Sequence, residues 1–420
     1  MSSPPLRVIA RVRPLTGNAS VPWLSPDSNS SSSLISTLLE KNKLVRSNVR
    51  GEAPRLTTFL STRVFDFDAA FYMERTTADV YVSEISPLIE RVMSGASCCV
   101  LAYGATGSGK THTMTGSPNA ADGMGFLHMA ALELCEMIER VNREENTNVL
   151  TIYVTGGEIY QEELLDLGMP GVGVKPKRMS TTTLRRVLVP TATAGELVAV
   201  VEAFVSRRAA GATNKNEHSS RSHAIFQIHV EERGETFGTL ALVDLAGAEY
   251  CAATEGRDDV RRLEGGKNNL GLMSLKACFR HVGAEAAAAK TTPGVVPLAG
   301  VTHAAVTPTP FSWHRSKLTA ALRPFFTDVA GQMVMLITAS PDEADAMQTA
   351  HALEEGVVVA GRFLREKKIR ELEPPQIKTS QALRAGSGNG GGGGGGLRGG
   401  KVSGIGGGGG KKIIGGGGGI

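Results

Sequence analysis

The run Gly104-Ala105-Thr106-Gly107-Ser108-Gly109-Lys110-Thr111 has the spacing G-x-x-x-x-G-K-[ST]. Glycines in such a run let backbone N–H groups wrap a triphosphate. The lysine neutralises β- and γ-phosphate oxygens, and the threonine offers a hydroxyl to Mg²⁺. Two later runs carry groups that would sense a γ-phosphate. Residues 216–223 (NEHSSRSH) set Ser219, Ser220 and Ser222 beside Arg221, and residues 244–249 (DLAGAE) set Asp244 directly after an apolar stretch. Serine hydroxyls reach Mg²⁺ and phosphate, an aspartate so placed holds the metal's water shell, and Gly247 presents a bare N–H to the γ-phosphate. Glu249 supplies an acid for Arg221, and a closed pair would report a bound triphosphate. The expected catalytic set is therefore Lys110, Ser220, Arg221, Gly247 and Glu249, with Thr111, Ser220 and Asp244 serving the metal. Positioning and electrostatics suffice for phosphoryl transfer, so no dedicated base is required.

These groups need strands that end at them. Ala96–Tyr103 (ASCCVLAY) is an apolar run that reads as a buried strand feeding the glycine loop, and Thr111 onward has no breaker until Gly116, as a helix requires. Thr239–Val243 reads as the strand before Asp244, and Leu6–Val12 as a first strand stopped by Pro14. Further strands are expected over Val64–Phe71, Val149–Val154 and Ile225–Val230, and helices over Thr77–Met93, Glu196–Ala210 and Leu270–Val282. Strands alternating with helices predict an α/β fold, with a mostly parallel central sheet covered by helices on both faces. Pro26–Ser33 reads as a serine-rich loop and Gly283–Thr309 as an extended surface loop. Ala360–Glu373 is expected to extend a helix up to Pro374-Pro375. No heptad repeat follows, so a monomer, or dimerisation through a partner, is expected. From about Arg384 the chain is polyglycine with scattered lysines, a composition that cannot bury enough apolar area to order itself. The predicted division is one large domain over residues 6–365 and a basic, glycine-rich, disordered tail over 366–420.

With 45 basic against 41 acidic residues, a net charge of +4 argues against nucleic acid as a bulk-charge partner. The five cysteines, Cys98, Cys99, Cys135, Cys251 and Cys278, contain no C-x-x-C pair, which argues against a disulfide framework or a zinc site. No apolar stretch approaches the length of a membrane span, and residues 1–6 do not have the makeup of a signal peptide. A cytosolic or cytoskeletal location is expected. Residues 214–217 (NKNE) nearly match a guanine-reading motif but have no aspartate. The Glu133, Glu136 and Glu139 series reads as the solvated face of a helix, and His112, His218 and His223 as structural or solvent-facing histidines.

Taken together, the motifs resemble the kinesin motor domain over roughly Leu6–Arg365. Arg11-Val12-Arg13-Pro14 is similar to its adenine-side motif, Ala102–Met114 to its P-loop, 216–223 to switch I and 242–249 to switch II. The resemblance implies the P-loop NTPase fold of that family, Mg²⁺ and ATP as ligands, and microtubule-stimulated hydrolysis. It places the nucleotide against Arg11, Arg13, Pro14, Gly104, Ala105, Thr106, Gly107, Ser108, Gly109, Lys110, Thr111 and His112. It also implies a tubulin face through Lys267, Lys276, Arg280 and Lys317, the last within Ser316-Lys317-Leu318-Thr319. Val154–Leu167, Arg221–Ile228, residues 262–265 and Leu275–Arg280 are similar to the internal-motor kinesins, which depolymerise microtubule ends. Several positions depart from the family pattern. Ala105 replaces a usual glutamine, and residues 268–272 (NNLGL) replace a stretch close to INKSL, which removes a cation at Leu270. Residues 53–55 stand where the depolymerising subfamily has a Lys-Val-Asp finger. A second reading is a degenerate kinesin that binds nucleotide or tubulin as a scaffold without turnover.

Overall fold

The computed structural model describes residues 6–14, 24–27, 30–45, 55–116, 123–144, 150–168, 176–179, 184–189, 193–210, 220–248, 270–282, 312–362 and 365–371. All of them lie in one compact unit, Met1–Leu372.

The expected strand to the glycine loop is Ser97–Tyr103, buried along almost its whole length as a central parallel strand must be. In chain order the strands are β1 Leu6–Val12, β2 Leu24–Asp27, β3 Ser30–Val45, β4 Arg55–Asp66, β5 Ala69–Phe71, β6 Ser97–Tyr103, β7 Leu150–Tyr160 and β8 Glu163–Asp166. They continue as β9 Lys177–Met179, β10 Val187–Val189, β11 His223–Glu232, β12 Glu235–Asp244, β13 Met333–Ala339 and β14 Arg365–Glu371. The main sheet runs β5-β1-β13-β6-β12-β11-β7-β8-β9, with β10 also on β7. It is mixed. The pairs from β5 to β12 are parallel, and the alternation of strands and helices was the signal for them. From β12 outward every pair is antiparallel. The reversal comes at a tight turn: Arg233 and Gly234 both have positive φ, 53° and 88°, the geometry that joins neighbouring strands into a hairpin.

Helices cover both faces. Thr77–Val80, Tyr81–Ile85 and Ser86–Val92 run end to end as α1 with a π-helical middle turn. Its start is a capping box in which Thr76 Oγ1 accepts from Asp79 N–H and Asp79 accepts from Thr76 N–H. α2 is Lys110–Thr115, α3 Phe126–Glu144 and α4 Ala194–Ala210. Residues 270–282 form α5, followed by α6 Lys317–Thr327 and α7 Ala346–Val359. Alternate residues of β6 feed opposite cores. Cys98, Val100 and Ala102 pack with α1, α3 and α4, while Cys99, Leu101 and Tyr103 pack with α5, α6 and α7.

Several expectations are corrected. The segment read as a serine-rich loop supplies β2 and the start of β3, antiparallel strands of a small second sheet ordered β14-β4-β3-β2. Buried Leu24 and Leu34 anchor that hairpin, and β4 satisfies the backbone of its serines. The strand expected over Val64–Phe71 is divided between β4 and β5 at Asp68, which accepts Val8 N–H. α7 ends at Val359 rather than extending to Glu373. Gly361 turns the chain at φ 68°, and β14 then pairs with β4. The boundary expected at 365/366 falls at the start of β14, and residues 372–420 lie outside the described residues, as do Gly283–Thr309. Glu133 is not a solvated charge, because it accepts from the Tyr81 and Ser86 hydroxyls at 2.6 Å each.

Gly238 sits where β12 passes the end of α1, and a Cβ there would overlap the Val92 carbonyl oxygen. Gly238→Ala is expected to cost about 1–3 kcal/mol, read as a lower unfolding midpoint in urea. An unchanged midpoint would show that α1 can move away from the sheet.

Candidate functional site: a glycine-loop cleft at four strand ends

Four adjacent strands, β1, β13, β6 and β12, deliver their carboxyl ends to one edge of the sheet, where open α/β sheets form their crevices. Residues 104–109 follow β6 there. Gly107 and Gly109 take φ of 79° and 101°, which a side chain would oppose. The loop packs tightly from behind: an added Cβ at Gly104 would run into Thr338, and Ser108 Oγ shares a 2.6 Å hydrogen bond with Thr338 Oγ1. An open cleft of about 340 Å³ results, lined by Thr106, Gly107, Gly109, Lys110, Thr111, His112 and Ser220. Lys110 is buried, and its Nζ donates to the carbonyls of Gly104 and Ala105 at 2.8 Å each. Its charge is thus held at the loop by main-chain oxygens.

The corner of the cleft is built on Asp244, the last residue of β12, which is fully buried. Thr111 Oγ1 donates to Asp244 Oδ2 at 2.7 Å, and Arg208 Nη1 donates to the same oxygen at 2.6 Å. Arg208 reaches in from the end of α4 and also donates to the Ser222 carbonyl. Glu158 on β7, likewise buried, lies 3.7 Å from Arg208 Nε and accepts from Ser222 Oγ at 2.6 Å. Two carboxylates therefore share one guanidinium away from water. Removing one member of such a set typically costs about 3–5 kcal/mol, because the charge left behind stays buried. Asp244 Oδ1 is buried without a hydrogen-bond partner among the described residues. A hydroxyl and a carboxylate so placed, with an acceptor atom to spare, form a hard oxygen set of the kind Mg²⁺ takes.

The two expected sensor runs meet at this corner. Gly247 N–H donates to the Ser220 carbonyl at 2.7 Å, Ala248 N–H to the Gly104 carbonyl at 3.0 Å, and Ala246 N–H to His223 Nδ1 at 3.0 Å. Ser220 lines the cleft and Arg221 is half-buried, whereas Glu249, His218 and Ser219 lie outside the described residues. Arg11, expected at the nucleotide, is held by hydroxyls of the protein. It is buried behind the loop, donating to Thr113 Oγ1 at 2.7 Å and Thr77 Oγ1 at 2.8 Å. Pro14 is exposed, with its carbonyl accepting from Arg13. The sequence reading missed Arg208 and Glu158. Each sits in an ordinary helix or strand context, and only the tertiary pairing reveals them.

A family model of the kinesin motor domain matches residues 11–356. The chain belongs to the kinesin family. Solved structures share its fold. The motor and motor homology domain of a Kar3Vik1 fusion matches with a TM-score of 0.60 at 23% identity, covering 84% of each chain. The motor domain of the Kar3-like kinesin from Ashbya gossypii matches with a TM-score of 0.59 at 22% identity, covering 85% of this chain and 99% of that one. Drosophila NOD, docked with bovine tubulin into a map of its nucleotide-free microtubule complex, matches with a TM-score of 0.58 at 22% identity, covering 86% and 98%. Kinesin motor domains in general bind Mg²⁺ and nucleotide, hydrolyse ATP and engage microtubules.

On the face carrying α5 and the start of α6, this kinesin departs from its expected charge pattern. Lys276 is turned inward, paired with Glu355 at 2.9 Å and lying 5.7 Å from the Tyr103 ring centroid. It is therefore not an outward cation. The outward positions of α5 are Leu270, Met273 and Arg280, with Met273 67% exposed. Lys317 is half-buried, and its backbone N–H donates to Glu162 at 2.7 Å. Glu162 stands at the tip of the β7–β8 hairpin with φ 63°, a left-handed conformation that aims its carboxylate at the start of α6. Lys267 lies outside the described residues. Among the described residues, no helix is long and apolar enough to cross a membrane.

Burial lowers the pKa of two histidines on β11. His223 is brought to about 4, with Arg208 adding to the shift, and His229 to about 4, with Arg186 adding to it. Both are neutral in the folded protein at pH 7, and the unfolded chain takes up their protons first as pH falls. Stability from these groups is therefore complete above pH 6.5 and declines from 6.5 down to about 4. His229→Gln is expected to flatten that decline by about one proton in urea titrations at several pH values. An unchanged slope would place the acid sensitivity elsewhere.

Proposed function

We propose that this kinesin is an ATP-driven microtubule motor head in which the cleft on residues 104–111 binds Mg-ATP and switch closure triggers hydrolysis. The observation that carries this reading is the meeting of Thr111, Asp244 and Arg208 at the cleft's corner, with Ser220 and Gly247 bonded across it. Thr111 and Ser220 would hold Mg²⁺ directly and Asp244 would hold it through water, and the ion would neutralise charge on the β- and γ-phosphates. Lys110 exchanges its two carbonyl acceptors for phosphate oxygens. Gly247, when its N–H leaves the Ser220 carbonyl, donates to the γ-phosphate, and Arg221 with Glu249 holds the closed state. His112 borders the nucleotide, and the chain acts as a monomer in the cytoplasm on the cytoskeleton.

The microtubule face is assigned to α5 and the start of α6. Arg280 and Lys317 supply cations for tubulin's acidic surface, and Leu270 with Met273 supplies apolar contact where the family pattern has charge. Shedding of tubulin from microtubule ends is the finer reading suggested by the internal-motor resemblance. The degenerate-scaffold alternative draws on this same altered helix.

Lys110→Ala or Thr111→Asn is expected to lower ATP turnover by at least about 100-fold. Glu249→Ala is expected to keep nucleotide affinity while blocking turnover, because the closed state loses its ion pair. Turnover near that of the unmutated chain in the first pair would overturn the phosphate-site assignment. An equal loss of affinity and turnover in the third would remove Glu249 from gating.

On the filament side, reversing Arg280 and Lys317 is expected to raise the microtubule concentration for half-maximal stimulation by about 3–10-fold and to leave basal turnover unchanged. Met273→Asp is expected to do the same, with a weaker salt dependence remaining for the unmutated protein than an all-cationic face would give. Cosedimentation insensitive to all three changes would move the tubulin site to another face.

A further inference from the structure

Arg13 was expected beside the adenine, yet its guanidinium is committed to protein acceptors. Nε donates to the Gly107 carbonyl at 2.9 Å and Nη1 to the Pro14 carbonyl at 3.0 Å. Nη2 donates to Ser340 Oγ at 3.0 Å and to Asp342 Oδ2 at 2.5 Å, with Asp345 at 3.7 Å. Ser340 in turn donates to Asp345 at 2.7 Å. The side chains of Arg13 and Asp342 are only 18% and 21% exposed, so the pair is more than a surface contact. The backbone of Arg13 is fixed as well, its N–H donating to the Ala339 carbonyl at 3.0 Å.

The acceptor on the loop explains what this does. A phosphate loop works only while its N–H groups point into the cleft, which requires its carbonyls to point away and find donors of their own. Ala105 and Gly104 find them in Ser108, Lys110 and Ala248. Gly107 stands at the exposed crest with φ 79°, a conformation that only its surroundings hold in place, and Arg13 supplies a charged donor to its carbonyl.

We propose that Arg13 is a positioning residue for the phosphate site: anchored by Ser340 and Asp342 in the turn between β13 and α7, it braces the Gly107 carbonyl and so pre-forms the phosphate loop. The inference rests on the reading of that loop as a nucleotide site. It predicts that Arg13 acts on the triphosphate, whatever base is attached, and that Asp342 matters through Arg13 alone. Pre-forming the loop removes an ordering cost from binding.

Hydrogen exchange of the 104–109 amides in nucleotide-free protein is compared with equilibrium affinities for ATP, GTP and inorganic tripolyphosphate. Asp342→Asn, on a partly exposed turn, keeps the fold testable, and its unfolding midpoint is recorded alongside. Expected are faster exchange at 104–109 and an affinity loss of about 3–10-fold shared in the same proportion by all three ligands. The double variant Arg13→Ala/Asp342→Asn should bind no more weakly than Arg13→Ala alone, and Arg13→Lys, without the fork, should not restore binding. Unchanged exchange and affinity in Asp342→Asn, or an Arg13→Ala loss confined to ATP, would overturn the brace. If the unmutated protein binds none of the three ligands, the nucleotide reading fails, and the exchange comparison alone decides the brace.

Discussion

A buried carboxylate needs donors to hold its charge, and Asp244 is the point at which this requirement organises the molecule. It can lie fully buried at the end of β12 because Thr111 and Arg208 both donate to it. Those two donors reach the same oxygen from different elements, one from the helix after the phosphate loop and one from the helix before switch I. Arg208 then lies near the second buried acid, Glu158, so the antiparallel half of the sheet is tied to the parallel half at the same corner. Any ligand that draws Thr111 or Asp244 toward itself must disturb this set, which gives the cleft a mechanical consequence.

The disturbance has a contiguous route outward. Ala246 bonds His223, and His223 Nε2 faces α5 at Gly271, where an added Cβ would come within 3.1 Å. Glu162 borders the same spot and receives the first N–H of α6. Contact alone does not show coupling, which requires an element with two arrangements that both sites bias. The hydrogen bond between Gly247 and Ser220 is the natural candidate, since it cannot persist while that N–H serves a phosphate.

What the sequence made legible was whatever depends on local pattern. The glycine spacing located the loop, the apolar runs located β6 and the strand before Asp244, and helical periodicity located α1, α4 and α5. What it concealed depends on partners distant in the chain. Serines of β3 take strand form because β4 lies beside them, and Arg208 acquires its role only when β12 and β7 bring two acids to it. Lys276 reads as an exposed cation until α7 supplies Glu355. Arg13 falls in a motif with a familiar reading, yet its acceptors lie more than ninety residues downstream at Gly107 and Asp342. The Arg233–Gly234 turn was written in the chain, but alternation of strands and helices favoured a parallel reading over the hairpin.

The central claim is that one corner, built on Asp244, couples phosphate chemistry to the filament face. Steady-state ATP hydrolysis by the unmutated chain, with Mg²⁺, measured with and without stabilised microtubules, tests it most directly. The account predicts slow Mg²⁺-dependent turnover that rises severalfold and saturably with microtubule concentration. Nucleotide binding without turnover, unchanged by microtubules, would contradict it and leave a scaffold in place of a motor.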